Sequence, residues 1–303
     1  MKVFVTGATG FVGSAVVPEL LKAGHQVLGL ARSDAAAASL TAIGAQPHRG
    51  DLEDLESLQA GAAVVDAVIH TAFIHDFANF KAVCDIEARA VEALGSALIG
   101  SDRPLIITSG TALLTPGRLA TEDSTTVFTV DDFPRILTES VSRSLIERGV
   151  NLRTVRLSPS VHGDGDHGFV PNIIATARTK GRSAYVGDGA NRWTAVHRLD
   201  AAVLYRLALE RGSAGAHYHG VDEEGIAFRD IAEAIGKRLN VPAVAVSREE
   251  ATEHFGWFAH FAQLDCPASS KQTREQLGWQ PTHVRLLTEL EQSARYFEAL
   301  VNH

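Results

Sequence analysis

A strand that breaks into a glycine turn and restarts as a helix constrains this chain more than any other feature. Val3-Phe4-Val5 is apolar, Thr6-Gly7-Ala8-Thr9-Gly10-Phe11-Val12-Gly13 follows directly, and Ser14-Ala15-Val16-Val17 continues as helix. Such a junction leaves backbone N–H groups unpaired at the positive end of a helix dipole, a ready seat for a pyrophosphate. Gly7 can take the tight turn, Gly10 lets the backbone approach phosphates, and Gly13 lets helix and strand pack closely. Val16, Val17, Leu20 and Leu21 fall at helical spacing, Gly24 stops the helix, and the run from His25 to Leu30 reads as a second strand. The first thirty residues therefore form a βαβ unit.

The end of that second strand bears on which dinucleotide the unit prefers. An Asp or Glu there binds a ribose 2′-hydroxyl, whereas an Arg suits a 2′-phosphate. The sequence has Ala31-Arg32-Ser33. With no acid to repel a phosphate, and a guanidinium and a hydroxyl to bind one, NADP is favoured over NAD. Asp34 leaves open the alternative of a solvated arginine at a strand end. Further on, Gly50-Asp51-Leu52 follows a short strand at 45–49. Asp51 could accept the adenine amino group with Leu52 on the ring, or it could cap a helix over 54–60.

Two later strands end in small or hydroxylated residues. The run from Val64 to His70 enters Thr71-Ala72-Phe73, and Leu105-Ile106-Ile107 enters Thr108-Ser109-Gly110-Thr111. Ligands of parallel sheets lie at the carboxyl edge, so both ends are expected to face one crevice. Ile74-His75-Asp76-Phe77 then places a histidine that either lines the pocket or caps the next helix. After a strand at 152–157, Ser158-Pro159-Ser160-Val161-His162 and the glycine-rich run to Gly168 are suited to covering a cofactor. On this reading the cofactor is held by Gly7, Thr9, Gly10, Phe11, Val12, Gly13, Arg32, Ser33, Asp51, Leu52, Thr71, Ala72, Phe73, Thr108, Pro159 and Ser160. Ser109, Thr111, His75 and His162 are the candidates for chemistry, and Phe73, Phe77, Phe169, Trp193, Trp257 and Phe258 for an apolar pocket.

Other classes are disfavoured by charge and composition. A net charge of −8, with basic residues scattered singly, argues against a nucleic-acid surface. Cys84 and Cys266, far apart and without CxxC spacing, make neither a disulfide framework nor a zinc site, and no metal is expected. No apolar run approaches membrane-spanning length and the first strand begins at residue 2, so a cytoplasmic protein with a small-molecule substrate and no membrane partner is expected.

With these residues in hand the chain resembles the short-chain dehydrogenase/reductase superfamily, in its extended branch of epimerases, dehydratases and carbonyl reductases. TGATGFVG at 6–13 is similar to the branch's TGxxGxxG, Gly50-Asp51-Leu52 to its adenine-site stretch, and Ile69-His70-Thr71-Ala72 to its fourth-strand motif. Arg192, His197 and Asp200 resemble the RxxxxHxxD region, and Ser270-Lys271 with Leu277-Gly278-Trp279-Gln280-Pro281 resembles the C-terminal signature. The resemblance implies an α/β fold, a Rossmann-type doubly wound parallel sheet with helices on both faces and a smaller C-terminal substrate-binding domain. Residues 1–162 would bind the dinucleotide, with 190–212 returning to that part, and 163–303 would form the smaller region. A homodimer through two packed helices is the assembly the resemblance suggests.

The chain departs from the superfamily at its catalytic Tyr-x-x-x-Lys pair. None of Tyr185, Tyr205, Tyr218 and Tyr296 has a lysine four residues later, and no tyrosine lies between the fifth and sixth strands. Distance from Ser109 aligns Arg135 and Glu139 with the two positions. An arginine is a poor acid near neutral pH, and a glutamate cannot do the ammonium's electrostatic work. Two functions stay open: an NADP-dependent oxidoreductase for a small carbonyl or alcohol, with Ser109 and Thr111 as donors and His75 or His162 as proton source, and a non-catalytic NAD(P)-binding sensor. A sugar-nucleotide epimerase or dehydratase is a third, with few basic residues besides Arg192 and Arg198 to hold its phosphates.

Overall fold

The computed structural model describes residues 1–293 and 297. β1 (Lys2–Thr6), α1 (Gly13–Lys22), β2 (Gln26–Ala31), α2 (Asp34–Ala42) and β3 (Gln46–Arg49) open the chain. Val3, Phe4 and Val5 have no exposed surface because helices cover both faces of the sheet, which is why β1 is apolar without alternation. α3 (Leu55–Ala63), β4 (Ala67–His70), α4 (Phe80–Ser96), β5 (Leu105–Gly110), α5 (Ile136–Glu147) and β6 (Leu152–Leu157) continue the winding. Then come β7 (Ser160–His162), α6 (Phe169–Lys180), β8 (Ser183–Val186), β9 (Arg192–His197), α7 (Arg198–Arg211), β10 (His217–Gly220), β11 (Glu223–Ala227), α8 (Phe228–Leu239) and β12 (Ala243–Val246). α9 (Arg248–Phe255), α10 (Ala259–Ala262), α11 (Lys271–Leu277) and α12 (Leu286–Gln292) complete the described chain. The sequence pattern extends a last helix over 284–300, of which 294–296 and 298–303 lie outside the described residues.

Seven strands form one parallel sheet in the order β10-β6-β5-β4-β1-β2-β3. The chain winds outward from β1 to one edge, returns to β4 and winds to the other, so a crevice opens between β1 and β4 at their carboxyl ends. Val16 and Leu20 of α1 pack with Leu204 and Tyr205 of α7 on one face, and Leu58, Val91 and Leu145 of α3, α4 and α5 pack on the other. A separate core of α6, α8 and α9, centred on Trp193 and Phe258, lies with the small sheets β11-β9-β7 and β12-β8. No helix among the described residues is long and apolar enough to cross a membrane.

Three histidines are held neutral by this packing. Burial, aided by the charge of Arg135, pushes His70 down to about 3; burial pushes His197 and His219 each down to about 4. Between those values and the ordinary 6.5 the unfolded chain binds more protons than the folded one. Their contribution to stability is therefore present above about pH 6.5 and is lost as pH falls toward the folded values. Thermal unfolding followed from about pH 7 down to about pH 4.5 is expected to show a steadily falling midpoint. A midpoint that stays level over that range would show that these histidines charge without cost.

Candidate active site

The carboxyl ends of the central strands open on one continuous cavity of 1160 Å³. Small-molecule pockets run to about 300–1,000 Å³, so this one has room for an extended ligand and a second molecule beside it.

At one end lie Arg32, Asp51 and Leu52. Arg32 is exposed and has no carboxylate partner among the described residues, because the Asp34 carboxylate sits 3.0 Å from Arg49 instead. Ser33 does not join it: its hydroxyl accepts the Ala36 N–H and caps α2, and it does not line the cavity. Asp51 folds the turn ahead of α3 by accepting the N–H groups of Glu53 and Asp54, and the cap of α3 is Asp54. The helix-cap alternative for Asp51 is thus displaced by three residues, while its side chain lines the cavity.

In the middle, Gly7, Thr9, Gly10, Phe11, Val12 and Gly13 line the cavity, and no side chain caps α1. Gly7 has φ +67°. A Cβ on Gly13 would lie 2.0 Å from the Gly7 carbonyl oxygen, so the turn closes only around glycine. The Arg198 guanidinium donates to the Asp164 carbonyl (2.7 Å) and to Ser14 Oγ (3.2 Å) and stands over the Phe11 ring, tying the loop after β7 to the turn. Asp166, His167 and Gly168 of that loop line the cavity, as do Pro159 and Ser160. Ser160 is 2% exposed and its hydroxyl has no partner within the protein. A buried, unpaired hydroxyl at the wall, an uncapped helix start and an unpaired arginine fit a phosphorylated dinucleotide.

At the far end Thr71, Ala72, Phe73, Thr108, Ser109 and His75 line the cavity. The Ser109 hydroxyl donates to Glu139 Oε1 at 2.6 Å. Arg135, one helical turn before Glu139, also lines the cavity; it donates to Glu87 Oε1 at 2.7 Å and lies 4.0 Å above the Phe73 ring. Glu87 is 1% exposed, and burial raises its carboxyl above the usual range against the pull of Arg135. Sequence spacing aligned Arg135 and Glu139 with this place but gave neither a role; in the fold Glu139 meets Ser109 and Arg135 meets Glu87 and Phe73.

His75 lines the cavity and Asp76 does the capping, accepting the Ala78 and Asn79 N–H groups. Desolvation, with the charges of Arg135 and His167, holds His75 below the ordinary imidazole value, which disfavours its imidazolium form near neutral pH. Thr111 and His162 are not in the cavity. Thr111 begins a short 3-10 turn and its hydroxyl pairs with Thr194 Oγ1 at 3.1 Å. His162 is 1% exposed, with Nδ1 on the Glu289 carboxylate, because β7 carries it beneath α12. No tyrosine among the described residues lines the cavity: Tyr205 reaches Thr108 Oγ1 from the opposite face, and burial raises its phenol.

Beyond Ser109 the wall is aromatic. Phe73, Phe77, Phe80, Phe133, Phe169, Trp257 and Phe261 line it, and Trp257 stacks on Phe77 at 4.5 Å. Trp193 and Phe258 lie behind, in the core. Arg192 is taken by Asp265, and neither it nor Arg198 lines the cavity.

Away from the cavity, His197, Asp200 and His283 form a group with metal-ligating atoms within 4.8 Å of one another. The two imidazoles are stacked at 8°, so their lone pairs lie in parallel planes and do not converge. Asp200 is occupied by the Thr282 and His283 N–H groups and by His283 Nδ1, and its carbonyl accepts the Trp279 indole N–H. The two C-terminal sequence motifs therefore brace each other.

A family model described as NAD dependent epimerase/dehydratase family matches residues 3–125. An uncharacterized protein of Schizosaccharomyces pombe is 51% identical over 298 residues, 98% of this chain and 100% of that one. A 4-hydroxy-2-methyl-3-oxo-4-farnesyl-3,4-dihydroquinoline-1-oxide ketoreductase from Stigmatella aurantiaca is 28% identical over 88% of this chain and 84% of its own. Among solved structures, the dTDP-glucose 4,6-dehydratase of Streptomyces venezuelae with NAD bound superposes with TM-score 0.79 at 21% identity, covering 98% of this chain and 97% of that one.

Proposed function

Since the chain belongs to the NAD dependent epimerase/dehydratase family, we propose that it is an NADP(H)-dependent oxidoreductase that interconverts an apolar ketone or aldehyde and its alcohol. When bound, the nicotinamide supplies or accepts the hydride. The observation that carries the reading is that Ser109 and Arg135 line the same cavity as the glycine turn and the aromatic wall. Both can donate to a carbonyl oxygen. Arg135 is neutralised by Glu87, so it offers hydrogen bonds without net charge, which suits a neutral carbonyl better than a carboxylate or phosphate. The rings beyond would hold the apolar remainder of the substrate and exclude water. The ketoreductase of Stigmatella aurantiaca, whose name describes a large apolar ketone, supports the same reading.

The test is NADPH consumption with aryl and alkyl ketones and aldehydes, set beside UDP-glucose and dTDP-glucose. Turnover is expected with the first group alone. Tight NADPH binding with no turnover on any compound would make the protein a dinucleotide sensor, and turnover of the nucleotide sugars would make it an epimerase or dehydratase.

The preference for NADP rests on Arg32. Charge-assisted hydrogen bonds contribute about 1.5–3 kcal/mol, so Arg32→Ala is expected to weaken NADPH binding by roughly 10- to 150-fold and to leave NADH binding almost unchanged. Calorimetric titration of both cofactors decides it. An equal loss for the two would remove the 2′-phosphate from the account.

A further inference from the structure

Beneath α5 the large sheet carries a polar row. Ser109 on β5, Arg156 on β6 and His219 on β10 are register partners, so their side chains leave the same face. Ile107, Thr154 and His217 form the next row on that face. It is the face under α5, whose Leu145 packs with Leu105, Ile107 and Leu152. Glu139 descends onto the row: Oε1 accepts from Ser109, and Oε2 lies 3.6 Å from the Arg156 guanidinium.

Five buried polar atoms around these rows have no partner within the protein: Thr154 Oγ1, Arg156 Nε, His217 Nδ1, His219 Nε2 and Glu122 Oε2. Glu122 belongs to the group because its carbonyl accepts from Arg156, while its Oε1 accepts from Thr273. One such atom costs about 1–3 kcal/mol unless satisfied, so water reaching these five would offset a large cost. His219 fixes the polarity: its Nδ1 lies 2.8 Å from the Ser269 carbonyl, which can only accept, so Nδ1 bears the proton and Nε2 a lone pair. Arg156 Nε–H on the adjacent strand is a donor, and one water accepting from it and donating to His219 satisfies both. The row ends at β10, the edge strand, where His217 is half-buried.

We propose that Ser109 and Glu139 hold and move the proton of the reaction, and that waters along Arg156, Thr154, His219 and His217 carry it between the cleft and the sheet edge. This rests on the oxidoreductase reading above. In the oxidising direction the O–H bond of the alcohol breaks as its proton passes to Ser109 Oγ, the Ser109 O–H bond breaks as its proton passes along the existing hydrogen bond to the Glu139 carboxylate, and the carbinol carbon gives its hydride to the oxidised nicotinamide. Glu139 then gives that proton to the water row. The alcohol has become a carbonyl with one hydride and one proton removed, and reduction runs the same path backward.

The charges that act on Glu139 are Arg156 from β6, Glu87 from α4 and, when protonated, His217 and His219 from β10; around these, Arg135 acts on Glu87, Glu122 on Arg156, and Arg143 and Asp123 on His217. Burial beside Arg156 keeps His217 and His219 below the ordinary imidazole value, and a neutral imidazole can both give and take a proton.

The test has two arms. Reduction of phenanthrenequinone by NADPH is followed against pH in ordinary and heavy water. With Glu139→Gln, kcat is expected to fall about 100-fold or more, Glu139→Asp restoring part of it, while NADPH affinity stays that of the wild type and certifies the fold. His217→Phe is expected to enlarge the solvent isotope effect. Without substrate, water-to-protein cross-relaxation by NMR is expected to place long-lived water at the His219 ring. Turnover by Glu139→Gln at the wild-type rate, or a dry His219, overturns the relay alone. No turnover of any carbonyl by the wild type overturns both the relay and the reading beneath it.

Discussion

Replacing Gly13 with alanine is expected to cost the protein both its dinucleotide and part of its stability, whereas Gly10→Ala should cost the dinucleotide alone. A methyl on Gly13 would meet Gly7 backbone on two atoms, at 2.0 and 2.7 Å, and backbone in a closed turn cannot step aside as a side chain does. Overpacking of this kind costs about 1–3 kcal/mol. Opening the turn to relieve it would also disperse the N–H groups at the start of α1, so NADPH affinity should fall about 100-fold or more. Gly10 meets only the Gly7 carbonyl oxygen, at 3.2 Å, and otherwise faces the cavity. Its alanine variant should therefore unfold within a few degrees of the wild type and still bind NADPH poorly. Thermal unfolding and calorimetric titration on the same samples separate the two effects. Wild-type affinity in Gly10→Ala would remove the phosphates from this turn.

The second large effect is expected at Arg135. Breaking a buried ion pair by removing one partner leaves an uncompensated charge and costs about 3–5 kcal/mol. Arg135→Met leaves Glu87 in that position, held by Thr138 Oγ1 at 3.1 Å and little else. The midpoint of thermal unfolding should drop by about 10 °C, at roughly 2–4 °C per kcal/mol for a protein of this size. Adding Glu87→Leu should return most of the lost stability, because a well-packed apolar pair is often no less stable than the ion pair it replaces. Carbonyl reduction should stay lost in the double variant, since the donor to the substrate oxygen is still missing. Recovery of turnover together with stability would show that Arg135 serves the fold only.

The parts of this site that the sequence made legible are those built from adjacent residues. The glycine turn, the ends of β4 and β5 and the Pro159-Ser160 step each carry their geometry locally, and all of them line the cavity. Residues that looked equally suitable failed where a short-range choice reoriented them. Ser33 stands beside Arg32, but the first turn of α2 needed a cap and took its hydroxyl. Thr111 lies two residues from Ser109, as a strand would require for a shared face, yet the strand ends at Gly110. His162 has the glycine-rich surroundings of an active-site loop, and only Glu289, far along the chain, reveals where it points.

The contacts of Arg135 and Glu139 were out of reach for a similar reason. Ser109 meets Glu139, and Arg135 meets Glu87, only because α5 lies across β5 and against α4. The spacing of Arg135 and Glu139 was visible, but their electrostatic meaning depends on a buried partner that spacing does not supply.

The most direct measurement is the fate of deuterium from NADPH labelled at the nicotinamide C4 position, incubated with the protein and an aryl ketone. The expected result is an alcohol bearing one deuterium on its carbinol carbon, transferred from one face of the cofactor only. Cofactor oxidised without labelled alcohol, or label transferred equally from both faces, would contradict a site in which Ser109 and Arg135 hold the carbonyl beside a fixed dinucleotide.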